Sequence, residues 1–339
     1  MRLPADTMRN YAMIMEPCDV SEVELGLVSL IQAGFPLSER PFALLAQKLG
    51  ATEDEVIQHI SGLKERGVVR EIGPVIYPQA LGYHSTLVAM KISLENLDEA
   101  QKHIWSHPGI SHAYLRENEF NLWVTLALAD TLEVESAVAD VEKACRAKSA
   151  VSLPAVKIYK LAPLFGSTET QGALPSEEVR GRLPLEETEG RVVNAIQRDL
   201  PLVPTPFESM AKEAGVSSAA QLLTIVESLR MRGIIRRYGA NINHRQLGYT
   251  ANAIVCWRAS NDQADSLGQR LASLPNVSHC YLRKAHPSWP YNIYAMIHAR
   301  NREECLSTAD CVYKAEGVSA FVPLFSTFEI KKKRNRYSA

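Results

Sequence analysis

The strongest constraint on how this chain folds is that it is written twice. "SHAYLR" at 111–116 returns as "SHCYLR" at 278–283, and the likeness runs far beyond six residues. "VVREIGPVIYPQALGY" (68–83) aligns without gaps on "IIRRYGANINHRQLGY" (234–249), keeping the Gly and the final LGY. Upstream, "RPFALLAQKLGATEDEVIQHISGLKERG" matches "TPFESMAKEAGVSSAAQLLTIVESLRMRG" with one residue inserted. Downstream, "FNLWVTLALA" corresponds to "YNIYAMIHAR", and "PLF" recurs at 163–165 and 323–325. Residues 22–165 and 189–330 are therefore two copies of one module.

Each copy divides again. The first part has apolar residues at helical spacing, with Gly50 and Gly67 as stops and Thr52 with Glu55 as a capping box. Three short helices before a β-rich segment spell a winged helix-turn-helix. The second part gives strand, helix, strand, strand, helix, strand, the ferredoxin-like βαββαβ unit. The fold class is α+β, in two tandem copies: an N-terminal extension (1–21), winged helices at 22–80 and 189–246, and ferredoxin-like domains at 81–165 and 247–330. A Gly-, Pro-, Ser-, Thr- and charge-rich linker fills 166–188, and a basic tail of five positive charges ends the chain at 331–339.

Charge argues against nucleic acid as a general partner, because 37 Lys plus Arg balance 38 Asp plus Glu. The first recognition helix opens with Glu53, Asp54 and Glu55, three acids that oppose docking on phosphates. The second opens with Ser217, Ser218, Ala219, Ala220 and Gln221, without positive charge. DNA binding is thus disfavoured, leaving Arg236, Arg237 and Arg245 on the wing as its route to phosphate. The N-terminal apolar run is too short for a secretory core and no span suits a membrane, so a cytoplasmic protein is expected. Six cysteines without a CxxC pair read as reduced packing residues. His103 and His107 lack a third ligand at suitable spacing, so no metal site is expected.

Strand alternation puts His112, Tyr114 and Arg116 on one face, and Leu122, Val124 and Leu126 under the helices. Asn121, Trp123 and Thr125 then join the polar face. The second copy offers His279, Tyr281, Arg283, Asn292 and Tyr294, with Met296 and His298 further along. A solvent face would favour Lys, Glu and Thr, so rings mixed with His and Arg look like a binding surface. The competing account stacks these two faces on each other, with Tyr and His satisfied at an interface. Just upstream lie Arg70 in the first copy and Arg236, Arg237, Tyr238, Asn241, Asn243, His244 and Arg245 in the second, a set suited to carboxylates or phosphates. Arg237 and His244 are the weakest of these. "KAHPSWPY" (284–291) either brings His286 and Trp289 over a planar ligand or is a Pro-fixed turn. A flat, aromatic, anionic ligand would satisfy the whole set.

A winged helix followed by βαββαβ resembles the Lrp/AsnC regulators over nearly the whole of each copy, and two copies in one chain would imitate that family's dimer. With "RRYGANINHRQLGY", "VSHCYLR" and "WPYNIYAMIH", the chain resembles the siroheme decarboxylase family, whose two paired subunits are here joined end to end. The resemblance implies a carboxy-lyase that converts two acetate side chains of siroheme to methyl groups in haem d1 or alternative haem biosynthesis. Iron-bearing siroheme would be the substrate, no separate cofactor is implied, and the conjugated macrocycle would take up the electrons left by CO2. His279, His112, Tyr281 and Tyr114 would form the catalytic set, with a histidine as proton donor. Arg236, Arg245, Arg283 and Arg116 would clamp the carboxylates that stay, with Arg70, Arg237, Asn243, Asn121, Asn292, Trp123, Tyr294 and Trp289 completing the substrate surface. The second copy has the richer set, since Glu71, Pro74 and Pro78 replace polar residues in the first. A metabolite-sensing regulator and a non-catalytic tetrapyrrole carrier are the rival functions, and a further pairing of the fused chain is left open.

Overall fold

The structure is a computed structural model that describes residues 17–129, 131–161 and 181–337. Most of the expected linker and of the N-terminal extension lies outside the described residues. The first copy runs α1 (Glu22–Ala33), α2 (Pro41–Leu49), α3 (Glu53–Glu65), β1 (Val69–Ile76), β2 (His84–Lys91), α4 (Leu97–Ser106), β3 (Ile110–Arg116), β4 (Leu122–Leu128), α5 (Thr131–Ala144) and β5 (Ser149–Leu161). The second repeats this order: α6 (Glu187–Ile196), α7 (Pro206–Ala214), α8 (Ala219–Met231), β6 (Ile235–Ile242), β7 (Ala251–Arg258), α9 (Asn261–Ser273), β8 (Val277–Arg283), β9 (Ile293–Ala299), α10 (Arg302–Glu316) and β10 (Ala320–Lys332). Both halves of each module thus take the expected form.

Local signals fix the helix ends. Thr52 and Glu55 make the reciprocal capping box of α3, and Ser218 caps α8 by accepting from the Gln221 amide. Pro41 and Pro206 open α2 and α7, where the missing N–H costs nothing. The helices of the two winged units do not keep separate cores. Leu27, Ile31, Phe42 and Ile60 pack in one apolar cluster with Val192, Ile196, Phe207 and Val226.

The wings are not free. β1 pairs antiparallel with β6 in a two-stranded ribbon, with Gly73 opposite Gly239 at its centre. A side chain on Gly239 would meet the Ile31 carbonyl at 2.9 Å, so glycine lets the ribbon lie directly on α1. Arg236 and Arg237, two of the expected phosphate-seeking wing arginines, therefore sit on an intercopy ribbon, and Arg245 on the turn that follows it. Glu53 is likewise engaged, paired with Arg40.

The remaining strands close into an eight-stranded antiparallel barrel in the order β10-β3-β4-β2-β5-β8-β9-β7. Each copy's last strand begins in its own sheet and ends in its partner's: β5 pairs β2, then β8, and β10 pairs β7, then β3. The crossing is packed, not merely hydrogen-bonded. Tyr159 of β5 lies in the core under α9, where a side chain on Gly268 would overlap its ring, and Ile330 of β10 lies in the first copy's core. Lys331 donates to the carbonyls of Ile104, Trp105 and His107 at 2.9, 3.2 and 2.9 Å, and Lys160 to that of Leu274 at 2.7 Å. Each lysine caps the C-terminal end of the other copy's first ferredoxin-like helix.

The last domain therefore extends through Lys332, and the expected basic tail begins two residues later. The residues beyond Lys332 are also docked: Arg334 pairs with Glu71 at 3.2 Å, Tyr337 exchanges two hydrogen bonds with the Gln197 side chain, and its ring meets Tyr83 edge-on at 4.9 Å. No helix among the described residues is long and apolar enough to cross a membrane.

Candidate active site

The two hexapeptides occupy β3 and β8, and the apolar residues of the first copy take the expected place under its helices. Ala113, Leu115, Leu122, Val124 and Leu126 pack under the helices of the first copy. Each hexapeptide strand carries a register shift at its serine, between Ile110 and His112 and between Val277 and His279. This bulge breaks strict alternation, so serine and histidine meet: Ser111 Oγ lies 2.9 Å from His112 Nδ1, and Ser278 Oγ 2.7 Å from His279 Nδ1. Beyond them, His112 stacks with Tyr114 (6.5 Å, 28°) and His279 with Tyr281 (6.3 Å, 21°). All four rings are partly exposed.

Several expected ligand contacts belong to the fold instead. Trp123, Tyr294 and Trp289 are buried inside the barrel with Phe120, Leu87 and Leu324. Trp289 reaches this core because "KAHPSWPY" closes in a tight turn with two hydrogen bonds between His286 and Trp289. Asn121 and Asn292 are also structural: each side chain bonds both the N–H and the C=O of one backbone residue, Ile92 and Ala259 respectively, at 2.9–3.0 Å. Arg116 donates to Leu324 O and Ser326 Oγ, and Arg283 to Leu153 O, in each case on the last strand of the other copy. These guanidiniums staple the copies and lie 5.3 and 4.7 Å from the centres of the Tyr114 and Tyr281 rings. They act on those tyrosines from behind as fixed positive charges.

Of the polar crossover residues, Tyr238 is buried in the winged-helix core against Phe35 and Phe207, whereas Arg70, Arg236, His244 and Arg245 lie beside barrel residues. Arg70 holds Glu329 through two hydrogen bonds (2.9 and 3.3 Å), and Tyr114 donates to the same carboxylate at 3.4 Å. Arg236 lies 4.2 Å above the Tyr77 ring, and its charge acts on Tyr281. Arg237 Nη1 is buried without a hydrogen-bond partner among the described residues. Asn243 starts a 3-10 turn, its amide bonded to Val68 O, and this turn carries His244 and Arg245. Arg245 acts where its own copy's last strand, β10, meets β3 of the first copy. It donates to Ser326 O, opposite Arg116, and its charge acts on Arg116 and Lys332. The richer polar set of the second copy is therefore shared between the two half-sites.

Lys332 and Glu329, which strand alternation alone does not single out, make the halves unlike. In the barrel register Lys332 lies opposite His112 and Glu329 opposite Tyr114. The equivalent neighbours of His279 and Tyr281 are Leu161 and Ile158. One half is charged; the other has an aliphatic wall.

Electrostatics follow from enclosure. Burial, with Lys332 adding to it, pushes His112 down to about 3 and His279 down to about 4, and the same causes take His244 to about 3. Burial lowers His298 as well, and Lys332 falls to about 8 through burial and the Arg70 charge. The imidazoles are thus neutral at pH 7 without a ligand. A histidine whose folded pKa lies below its unfolded value near 6.5 contributes stability above that pH and loses it as pH falls towards the folded pKa. Urea unfolding of the ligand-free protein should therefore show stability dropping by roughly 1 kcal/mol per such histidine between about pH 7 and 5, after screening of the partly exposed rings. His244→Gln should flatten that slope.

Among the described residues no group of three or more His, Cys, Asp or Glu is placed to hold a metal ion. His103 and His107 pack against one another at 5.5 Å, and His107 Nδ1 accepts from the Gly109 amide.

Comparison with known proteins agrees with this architecture. Residues 24–70 and 189–236 match the family model described as the siroheme decarboxylase NirDL-like HTH domain, and 80–160 and 246–331 match the AsnC-like ligand binding domain. The chain is 35% identical over 313 residues to a siroheme decarboxylase of Hydrogenobacter thermophilus, covering 92% of this chain and 93% of that protein. It is 36% identical over 155 residues to the siroheme decarboxylase alpha subunit of Desulfovibrio desulfuricans, which spans 46% of this chain and is covered over 87% of its own length. A crystal structure of the siroheme decarboxylase NirDL in co-complex with an iron-uroporphyrin III analogue superposes with a TM-score of 0.68 and 32% identity, covering 93% of this chain and 95% of that one. Single-subunit relatives half its length explain the internal twofold: the fused copies form a pseudo-dimer. The tandem winged helices, the strand-swapped barrel and these matches together establish that the chain belongs to the siroheme decarboxylase family.

Proposed function

We propose that this chain is a carboxy-lyase that takes siroheme as its substrate and removes CO2 from two acetate side chains, giving didecarboxysiroheme for haem d1 or alternative haem biosynthesis. The observation that carries this reading is the excess of cation at the barrel mouth. Arg70, Arg236, Arg237, Arg245 and Lys332 gather around two stacked His–Tyr pairs, with Glu329 already held by Arg70 and Glu71 by Arg334. Such an array suits a flat anion edged by carboxylates. The relative with an iron-uroporphyrin analogue bound supports a tetrapyrrole of this kind.

The chemistry is R–CH2–COO⁻ + H⁺ → R–CH3 + CO2. The electron pair of the broken C–C bond enters the macrocycle's conjugated system, so no separate cofactor is required. Binding a scissile carboxylate to Arg would stabilise the reactant and slow its loss. The charged half, with Lys332, Arg245 and Arg70, therefore holds carboxylates that stay. The scissile acetate lies against Tyr281, Leu161 and Ile158, where little water stabilises its charge. His279 delivers the proton to the methylene carbon, and bound carboxylates raise its proton affinity.

Anaerobic incubation with siroheme followed by mass spectrometry tests the reading. Products lacking one and then two CO2 units are expected. Unchanged siroheme that remains bound would indicate a carrier, and unchanged siroheme with a salt-dependent shift of specific DNA would indicate a regulator.

A further inference from the structure

His279 stands at the end of a hydrogen-bonded chain that the first copy lacks. Asn252 on β7 donates through Nδ2 to Tyr249 O (3.2 Å), which leaves its Oδ1 facing His298 Nδ1 at 2.5 Å. His298 Nε2 lies 2.7 Å from Ser278 Oγ, which lies 2.7 Å from His279 Nδ1. His298 is buried on β9, and the His244 ring packs on it edge-on at 4.9 Å.

The polarity of this chain has one solution. Asn252 Oδ1 can only accept, so His298 carries its proton on Nδ1. His298 Nε2 must then accept, so Ser278 donates to it. Ser278 Oγ is left to accept from His279, which places the His279 proton on Nδ1 and leaves Nε2 as the nitrogen that takes up and releases protons. In the first copy the barrel register puts Ser85 and Ala127 at the positions of Asn252 and His298, so the chain ends at Ser111.

We propose that Asn252, His298 and Ser278 are positioning residues that hold His279 in a single tautomer, committing its Nε2 to proton delivery in the second half-site. This rests on the decarboxylase reading for the identity of the proton acceptor. Delivery breaks the Nε2–H bond of the imidazolium and forms a C–H bond at the methylene as CO2 departs. His279 returns directly to the neutral Nδ1–H form that Ser278 accepts, and a solvent proton restores the imidazolium.

The experiment pairs a spectroscopic measurement with turnover. Two-bond ¹H–¹⁵N correlation spectra of the full-length labelled protein should show neutral His279 protonated on Nδ1. Ser278→Ala should shift that signal to the Nε2–H form or a mixture. It should slow CO2 loss from bound siroheme roughly 10- to 100-fold, while siroheme affinity changes less than about threefold. His298→Leu should behave likewise, and His298→Gln, which keeps an acceptor for Ser278, should recover most of the rate. An Nε2–H tautomer in the unmodified protein, or Ser278→Ala with unchanged tautomer and rate, would overturn the proposal. If no siroheme is decarboxylated, the substrate reading fails, while the tautomer still decides the relay.

Discussion

His279→Ala is expected to slow CO2 release from siroheme by roughly 10²- to 10⁴-fold, the range for removing a positioned general acid. Binding should survive within a few-fold, because the carboxylate-holding cations lie on the ribbon, the 3-10 turn and β10, not on β8. Single-turnover mass spectrometry with a parallel absorbance titration separates the two quantities. A variant that binds weakly but turns over normally would make His279 a ligand contact only. The loss should be partly relieved by small exogenous imidazoles that fill the vacated space and carry a proton.

Lys332→Glu should weaken siroheme binding by about 100-fold or more, and Lys332→Met by roughly 10- to 100-fold, corresponding to about 1.5–3 kcal/mol for a charge-assisted contact. The asymmetry between these variants is diagnostic. Methionine keeps much of the buried stem and removes the cation, whereas glutamate also sets a carboxylate beside Glu329 and opposes the incoming anion. The mirror change, Leu161→Lys, places a cation opposite His279 and should impair turnover more than binding. Absorbance titration at several salt concentrations measures the affinities and single-turnover mass spectrometry the rates, and affinities of Lys332→Glu and Lys332→Met equal to the parent's would remove Lys332 from the site. Thermal unfolding should show Lys332→Met at least as stable as the parent, because a lysine pushed down to about 8 carries its charge there at a cost.

Much of the fold was legible because its signals are local. The capping box at Thr52, the stops at Gly50 and Gly67 and two periodicities marked the helices and the ferredoxin-like strands of the first copy. The repeat then required the second copy to follow the first. What periodicity cannot encode is which strand completes which sheet. The repeat alone consequently ends the last domain before Lys331, whereas β10 crosses to β3 and carries Lys331 and Lys332 with it.

The site was legible in residue type but only partly in role. His112, Tyr114, His279 and Tyr281 share the face that alternation assigned to them. Asn121 and Asn292 misled because an amide that clamps one backbone residue looks, in sequence, like an amide awaiting a ligand. Trp123, Tyr294 and Trp289 misled because a closed barrel has an interior that must be filled, and large rings fill it. The serine–histidine contacts depend on a bulge that no spacing rule announces, and the unlike halves emerge only when Lys332 and Leu161 are compared in the barrel register.

An anaerobic crystal structure with siroheme bound would test most directly that one mouth, built by both copies, receives the substrate. The macrocycle should lie between the ribbon and the barrel within reach of both His112 and His279, with carboxylates on Arg70, Arg245 and Lys332. A macrocycle seated on the outer helices, or touching residues of one copy alone, would contradict it.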